Sequence, residues 1–188
     1  MLKFFSITIF LLSNQLLLAE TAVPSFCGNN EESRLMAELI TQHVKQHRPA
    51  LRCSQNLSQI ALLKAQLLTK ERDISHTAGH TTPNHLLRKN GYNLSKRYPI
   101  LGNQVEAIAG GEHDPTVAFQ DFLNSEPHRV LLLGEHDYFL EQNDIGIAYL
   151  YDKETPYEHY WVILFGDQDK ATTAVNIHKE FILSPIKK

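Results

Sequence analysis

The order of its hydrophobic periodicities predicts an α+β fold for this chain. Segments with apolar residues at helical spacing come first. Two strands come after them: 145–151 alternates, and 160–165 is rich in aromatic and β-branched residues. The 188 residues show no internal repeat and no low-complexity segment, and they suffice for one domain with a sizeable core.

The first 22 residues read as an export signal. Lys3 supplies the positive start, and 4–18 is mostly apolar, interrupted by Ser13-Asn14-Gln15. Ala19 and Ala22 supply small residues for cleavage. The run is too short and too broken for a membrane span, and Pro24-Ser25-Phe26-Cys27 is a poor lipoprotein site. The reading is a secreted or periplasmic protein that is not integral to the membrane after cleavage; the rival is an uncleaved N-terminal anchor.

Residues 23–50 hold the first helix, over 31–46. Leu35, Met36, Leu39, Ile40 and Val44 fall on one stripe, which His43 and His47 continue at i, i+4. That spacing can bind a metal, but a role at the helix end is commoner. Pro49 closes the segment. The second helix spans 56–73, capped by Ser54 or Asn56, with Leu57, Ile60, Ala61, Lys64, Leu67, Leu68 and Glu71 alternating between core and solvent. Ser75-His76 follows it, and 77–81 reads as a loop.

Thr82 as N-cap and Pro83 at the first helical position open a short helix. Its Leu86 and Leu87 face inward, and Gly91 ends it. Residues 92–101 are irregular. The stretch 105–109 is apolar apart from Glu106. Asp114-Pro115 starts another helix by the same logic, with Val117, Ala118, Phe119 and Phe122 as its apolar face, ending near Asn124. Residues 128–133 form a further turn. The closing strands make an antiparallel hairpin around 152–156. The C-terminal extension, 167–188, holds Phe181-Ile182-Leu183, which adds a strand or packs on the sheet, and a loose end at 186–188.

The net charge of -3 and the scattered Lys and Arg give no footprint for nucleic acid. Cys27 and Cys53 are an even pair in an exported chain, which predicts a disulfide worth about 3–4 kcal/mol in the chain-entropy model. Two buried thiols or a redox pair are the rivals, and no C-x-x-C spacing favours the latter.

Over 51–166 the chain resembles the bacterial branch of the CAP superfamily (cysteine-rich secretory proteins, antigen 5, pathogenesis-related 1), the SCP domain. The resemblance is carried by boxes in the family's order: Ser75-His76-Thr77 after a helix, and Thr82-Pro83 through Gly91-Tyr92. Val105-Glu106-Ala107-Ile108-Ala109, Phe122-Leu123-Asn124-Ser125-Glu126-Pro127-His128-Arg129, Ile145-Gly146-Ile147-Ala148 and Tyr160 to Gly166 follow. It implies an α-β-α sandwich with a central antiparallel sheet and helices on both faces. It also implies a cleft formed by His76, Glu106 and His128. Ala107, Phe122 and Ile163 depart from the family's Asn, Trp and Gln, and Ser125 stands at the second carboxylate of its His-Glu-Glu-His set.

Two imidazoles and a carboxylate suit Zn or another divalent cation, with water in the open position, and the resemblance implies metal binding through His76 and His128. Histidine and carboxylate also move protons near neutral pH, so the same three residues are the candidate catalytic set. The leading expectation is a ligand-binding module for a lipid, a cell-wall fragment or a protein. A metal-dependent hydrolase, in which Glu106 ligates the ion or acts as general base, is the first rival. A structural scaffold, in which His76 and Glu106 form a satisfied buried network, is the second. No H-E-x-x-H, nucleophile elbow or phosphate loop is present. His76, His80 and His85, Glu112-His113-Asp114 and Glu135-His136-Asp137 read as loop and helix-start residues. Ser125 reads as a cap, Arg129 pairs with Glu126 or Glu135, and the Tyr149, Tyr151, Tyr157, Tyr160 and Trp161 group reads as sheet core and edge.

Overall fold

The computed structural model describes residues 27–169. The export signal and the apolar residues 181–183 lie outside the described residues. The elements are α1 (Glu31–Thr41), β1 (Arg52–Cys53), α2 (Gln55–Glu71), α3 (Pro83–Lys89) and β2 (Glu106–Gly110). They continue with α4 (Pro115–Asn124), α5 (Glu126–Leu133), α6 (Asp137–Leu140), β3 (Asp144–Tyr151) and β4 (His159–Gly166). The class is α+β, as expected.

The strands form one sheet in the order β1-β3-β4-β2. β3 and β4 are the expected antiparallel hairpin, and β2 pairs antiparallel with β4. The sheet is nevertheless mixed, because β1 runs parallel to β3. A two-residue strand is too short to leave a periodic signal in the sequence.

Strand alternation divides the core in two. Tyr160, Val162 and Leu164 of β4 join a cluster with Leu57, Ala61 and Leu68 of α2 and Leu86 and Leu87 of α3. Trp161, Ile163 and Phe165 join a second cluster with Met36 and Ile40 of α1, Phe119 and Phe122 of α4, and Leu131 and Leu132 of α5. Cys27 and Cys53 are bonded, with Cα atoms 4.6 Å apart, so the chain before α1 is tied to β1. Gly146 of β3 lets α2 lie directly on the sheet. A Cβ there would stand 2.3 Å from the backbone of Leu57 and Ser58.

Several local expectations are corrected. The first helix stops at Thr41 rather than running to 46. Thr41 Oγ1 donates to the Ala37 carbonyl and Gln46 Nε2 reaches back to the Ile40 carbonyl, so side chains satisfy the end of the helix. His43 and His47 therefore lie beyond the helix, Val44 is 95% exposed, and Leu35 is also exposed. Val117 is exposed on α4, whose Asp114 cap forms as expected, donated to by the backbone N–H groups of Thr116 and Val117. Ser54 is the cap of α2, while Thr82 and Ser125 occupy cap positions without making a side-chain capping bond. Asp137, expected on a loop with Glu135 and His136, instead opens α6, with the His136 ring as its cap.

Arg48, unremarked in the sequence, is buried beneath α5. Its guanidinium donates to the carbonyls of Leu131, Leu132 and Phe139 and to Gln142 Oε1. It meets carbonyls left free at a helix C-terminus, where a cation is favoured. Burial lowers its pKa to about 10.

Two stability measurements check these constraints. Gly146→Ala is expected to cost at least about 3 kcal/mol in urea unfolding, because backbone rather than a flexible side chain must move. Replacing both cysteines by Ala is expected to cost about 3.5 kcal/mol, and the unreduced protein should yield a Cys27–Cys53 linked peptide in mass spectrometry.

Candidate functional site

The cleft forms at the β2 edge of the sheet, and its polar side chains come from the turn after α2, the turn before β2, β2 itself and α5. Glu106 opens β2 and has the same strand parity as Ile108, which belongs to the α2 cluster. Its carboxylate therefore meets Lys64 of α2. Lys64 is wholly buried; its Nζ lies 3.7 Å from Glu106 Oε1 and donates to the His76 carbonyl at 2.8 Å. That bond anchors the turn after α2 and sets His76 beside Glu106. Burial lowers the Lys64 pKa, and the carboxylates of Glu106 and Glu71 oppose the shift.

His76 Nδ1 stands 2.8 Å from Glu106 Oε1. A carboxylate only accepts, so this ring nitrogen is assigned the proton and donates it. Nε2 is then the acceptor, on a side chain 42% exposed. Asn103 braces the pair through Glu106. Its Oδ1 accepts from the backbone N–H of Glu106 and its Nδ2 donates to the Glu106 carbonyl, so it fixes Glu106; with Nδ1 of His76 donating to Glu106, the amide nitrogen 3.0 Å from that ring nitrogen makes no hydrogen bond to it. Glu106 Oε2 is buried and has no hydrogen-bond partner among the described residues.

His128 arrives from α5 and closes the other side. Its ring lies edge-on to Phe122 at 5.2 Å. Burial lowers its pKa, and the nearby His76 lowers it further. The cleft holds about 420 Å³ and is lined by His76, Asn103, Glu106, Glu126 and His128 with an apolar wall that includes Val130, Leu131 and Phe139.

The structure thus brings together His76, Glu106 and His128, the three residues taken from the sequence. Ser125 is not among the lining residues; the second carboxylate at the cleft is Glu126, one position on. Arg129 pairs with Glu135, one of its two expected partners. Lys64 and Asn103 were missed. The signal for Lys64 was present, since it stands in the buried stripe of Leu57, Ala61 and Leu68. Asn103 left none, because its role depends on a turn.

Among the described residues no group of three or more His, Cys, Asp or Glu could hold an ion. Glu106 shares its charge with Lys64, which leaves Glu126 as the cleft carboxylate without that ammonium beside it. A larger depression of about 490 Å³ lies between α1 and α4. It contains none of the described buried polar atoms that lack a partner, whereas the smaller cleft is lined by Glu106, whose Oε2 is one of them.

No family model matches the chain, and no curated protein matches it. Among solved structures it is similar to an outer surface protein from Borrelia burgdorferi, at 24% identity and a TM-score of 0.57. The match covers 72% of this chain and 90% of that protein. A likeness at this level is one of fold.

His128 should titrate in proton NMR below the ordinary histidine value of 6.5. In His76→Gln its midpoint should rise part of the way back, since burial, the larger cause, remains. A histidine with a lowered native pKa binds more protons when unfolded, so stability should fall as pH drops from about 6.5 through the native midpoint. His128→Gln should flatten that slope.

Proposed function

We propose that this chain is an exported binding module of CAP type. Its His76–Glu106–His128 cleft receives a small ligand bearing hydroxyl or amide donors, of the kind a cell-wall fragment presents. Glu106 Oε2 carries the reading: a buried acceptor with no protein partner at a cleft is expensive unless something donates to it. His76 Nε2 adds a second acceptor. The wall of Val130, Leu131 and Phe139 suits the apolar face of a sugar-sized unit. Export is supported by the apolar, Lys3-led N-terminus and by the Cys27–Cys53 disulfide. The shared fold with an outer surface protein agrees with it. No helix among the described residues is long and apolar enough to cross a membrane.

The second reading is a divalent cation held by His76 and His128, favoured by the electrostatic proximity of the two rings. It is the weaker of the two, because the charge of Glu106 is balanced by Lys64 and no three-ligand group forms among the described residues. A hydrolase would require that missing group. A purely structural network would leave Glu106 Oε2 unexplained.

Calorimetric titration separates these. Soluble cell-wall disaccharides and muropeptides should bind the parent protein, and Glu106→Gln and His128→Ala should each weaken binding at least about tenfold, the value of a buried hydrogen bond to a charged group. Unchanged affinity in a folded Glu106→Gln protein overturns the reading. Stoichiometric zinc binding lost in both His76→Ala and His128→Ala, without saccharide binding, replaces it with the cation.

A further inference from the structure

The charge of the cleft is decided by pairings that the fold makes around it. Two carboxylates line the cleft, those of Glu106 and Glu126, and no Lys or Arg is among the lining residues. Glu106 is answered by Lys64, whose Nζ lies 3.7 Å from its Oε1. Arg129, on the same helix as Glu126, is drawn to Glu135 at 3.1 Å. Arg48 does not line the cleft, and its guanidinium is taken up by the carbonyls of Leu131, Leu132 and Phe139. Glu126 is exposed and has no ion pair or side-chain hydrogen bond among the described residues.

An acid in the first turn of a helix is ordinary, because the helix dipole favours it there. An acid that also lines a cleft without a lining cation leaves that cleft with surplus negative charge. The imidazoles do not cancel it. Burial and the neighbouring His76 both lower the pKa of His128, which keeps that ring neutral more readily. His76 donates from Nδ1 to Glu106 and in its assigned tautomer presents an acceptor at Nε2.

The two acids offer different chemistry. Glu106 Oε2 is buried without a partner among the described residues, and a second cation on that carboxylate would stand against Lys64. Neutral donors suit it. Glu126 is exposed, with no ammonium beside it. We infer that the ligand of this cleft carries a primary ammonium group, which meets the Glu126 carboxylate while hydroxyl or amide donors of the same molecule meet Glu106 Oε2. Resting on the cleft reading proposed above, this narrows the ligand to an amino sugar or to a muropeptide with a free amine. A metal ion in place of the ammonium would need several converging ligands, and no group of three or more forms among the described residues. An ammonium is a compact, hydrated point charge that one exposed carboxylate can hold.

Calorimetric titration of the full chain at neutral pH in EDTA tests this with two matched pairs of probes. The glucosamine disaccharide chitobiose is compared with its N,N′-diacetyl form. A muropeptide with a free stem-peptide amine is compared with the same muropeptide acetylated at that amine. Amines are largely protonated at this pH. In at least one pair the free amine should bind the parent about threefold to fivefold more tightly, the range of a good exposed ion pair, and added salt should shrink the difference. The pair that discriminates tells whether sugar or peptide supplies the ammonium. In Glu126→Gln the two members should bind about equally, and in Glu126→Lys the preference should reverse. In Glu106→Gln both members should weaken together and the preference should remain. Equal binding of free and acetylated forms to the parent, with both weakened in Glu106→Gln, overturns the ammonium and leaves the cleft reading standing. A preference that survives in a folded Glu126→Gln protein does the same. Binding of none of the four probes overturns the cleft reading and the ammonium with it.

Discussion

A buried ammonium organises the site. Lys64 sits in the apolar stripe of α2 with no exposure to solvent. An isolated charge there costs several kcal/mol after relaxation, so its surroundings must answer it. Glu106 answers with a carboxylate and His76 with a backbone carbonyl. In consequence the turn after α2 is tethered to the first residue of β2, and the His76 ring lies against the Glu106 carboxylate through Nδ1. The charge that makes Glu106 a good acceptor is balanced by the same ammonium.

Lys64 can reach Glu106 only because α2 lies close on the sheet. At Gly146 the backbone of α2 occupies the space a side chain would take. A tightly packed core transmits such a displacement, since it has no slack to absorb it. Gly146 and Lys64 thus act in series, one bringing the helix to the sheet and the other fastening the edge of the sheet to the helix's exit. The position of β2 completes the geometry. As an edge strand it leaves a border that the loop after α2 and the start of α5 can both reach, and there His76 and His128 meet. Partly burying His128 against Phe122 keeps its imidazole neutral more readily than in water.

Much of the fold was legible in the sequence for identifiable reasons. The closing hairpin was clear because both strands are dense in β-branched and aromatic residues, and both prove buried on their two faces. α2 was clear because its stripe is long, and α4 because Asp114-Pro115 satisfies helix-start geometry locally. The end of α1 was not legible. Thr41 and Gln46 close it through their side chains, in competition with a stripe that continues past them. β1 was hidden by its length, and α6 by being a single turn. At the site, His76, Glu106 and His128 were legible as residue types within ordered boxes. The place of Glu126 at the cleft was not legible, because a box fixes order but leaves the direction of each side chain to the helix that carries it.

Taken alone, the sequence determined the fold class, the principal helices and strands, the cysteine pair and the identity of the ionisable residues that meet. These follow from local periodicity, capping chemistry and residue type, which act over a few positions of chain. Only the tertiary structure decided that the sheet is mixed, that Lys64 is buried, that Asn103 braces Glu106 and that Glu106 Oε2 is left without a partner among the described residues. Each of those depends on residues distant in sequence sharing a small dry space. There, desolvation and a helix-to-sheet approach set by a single missing Cβ outweigh local preference.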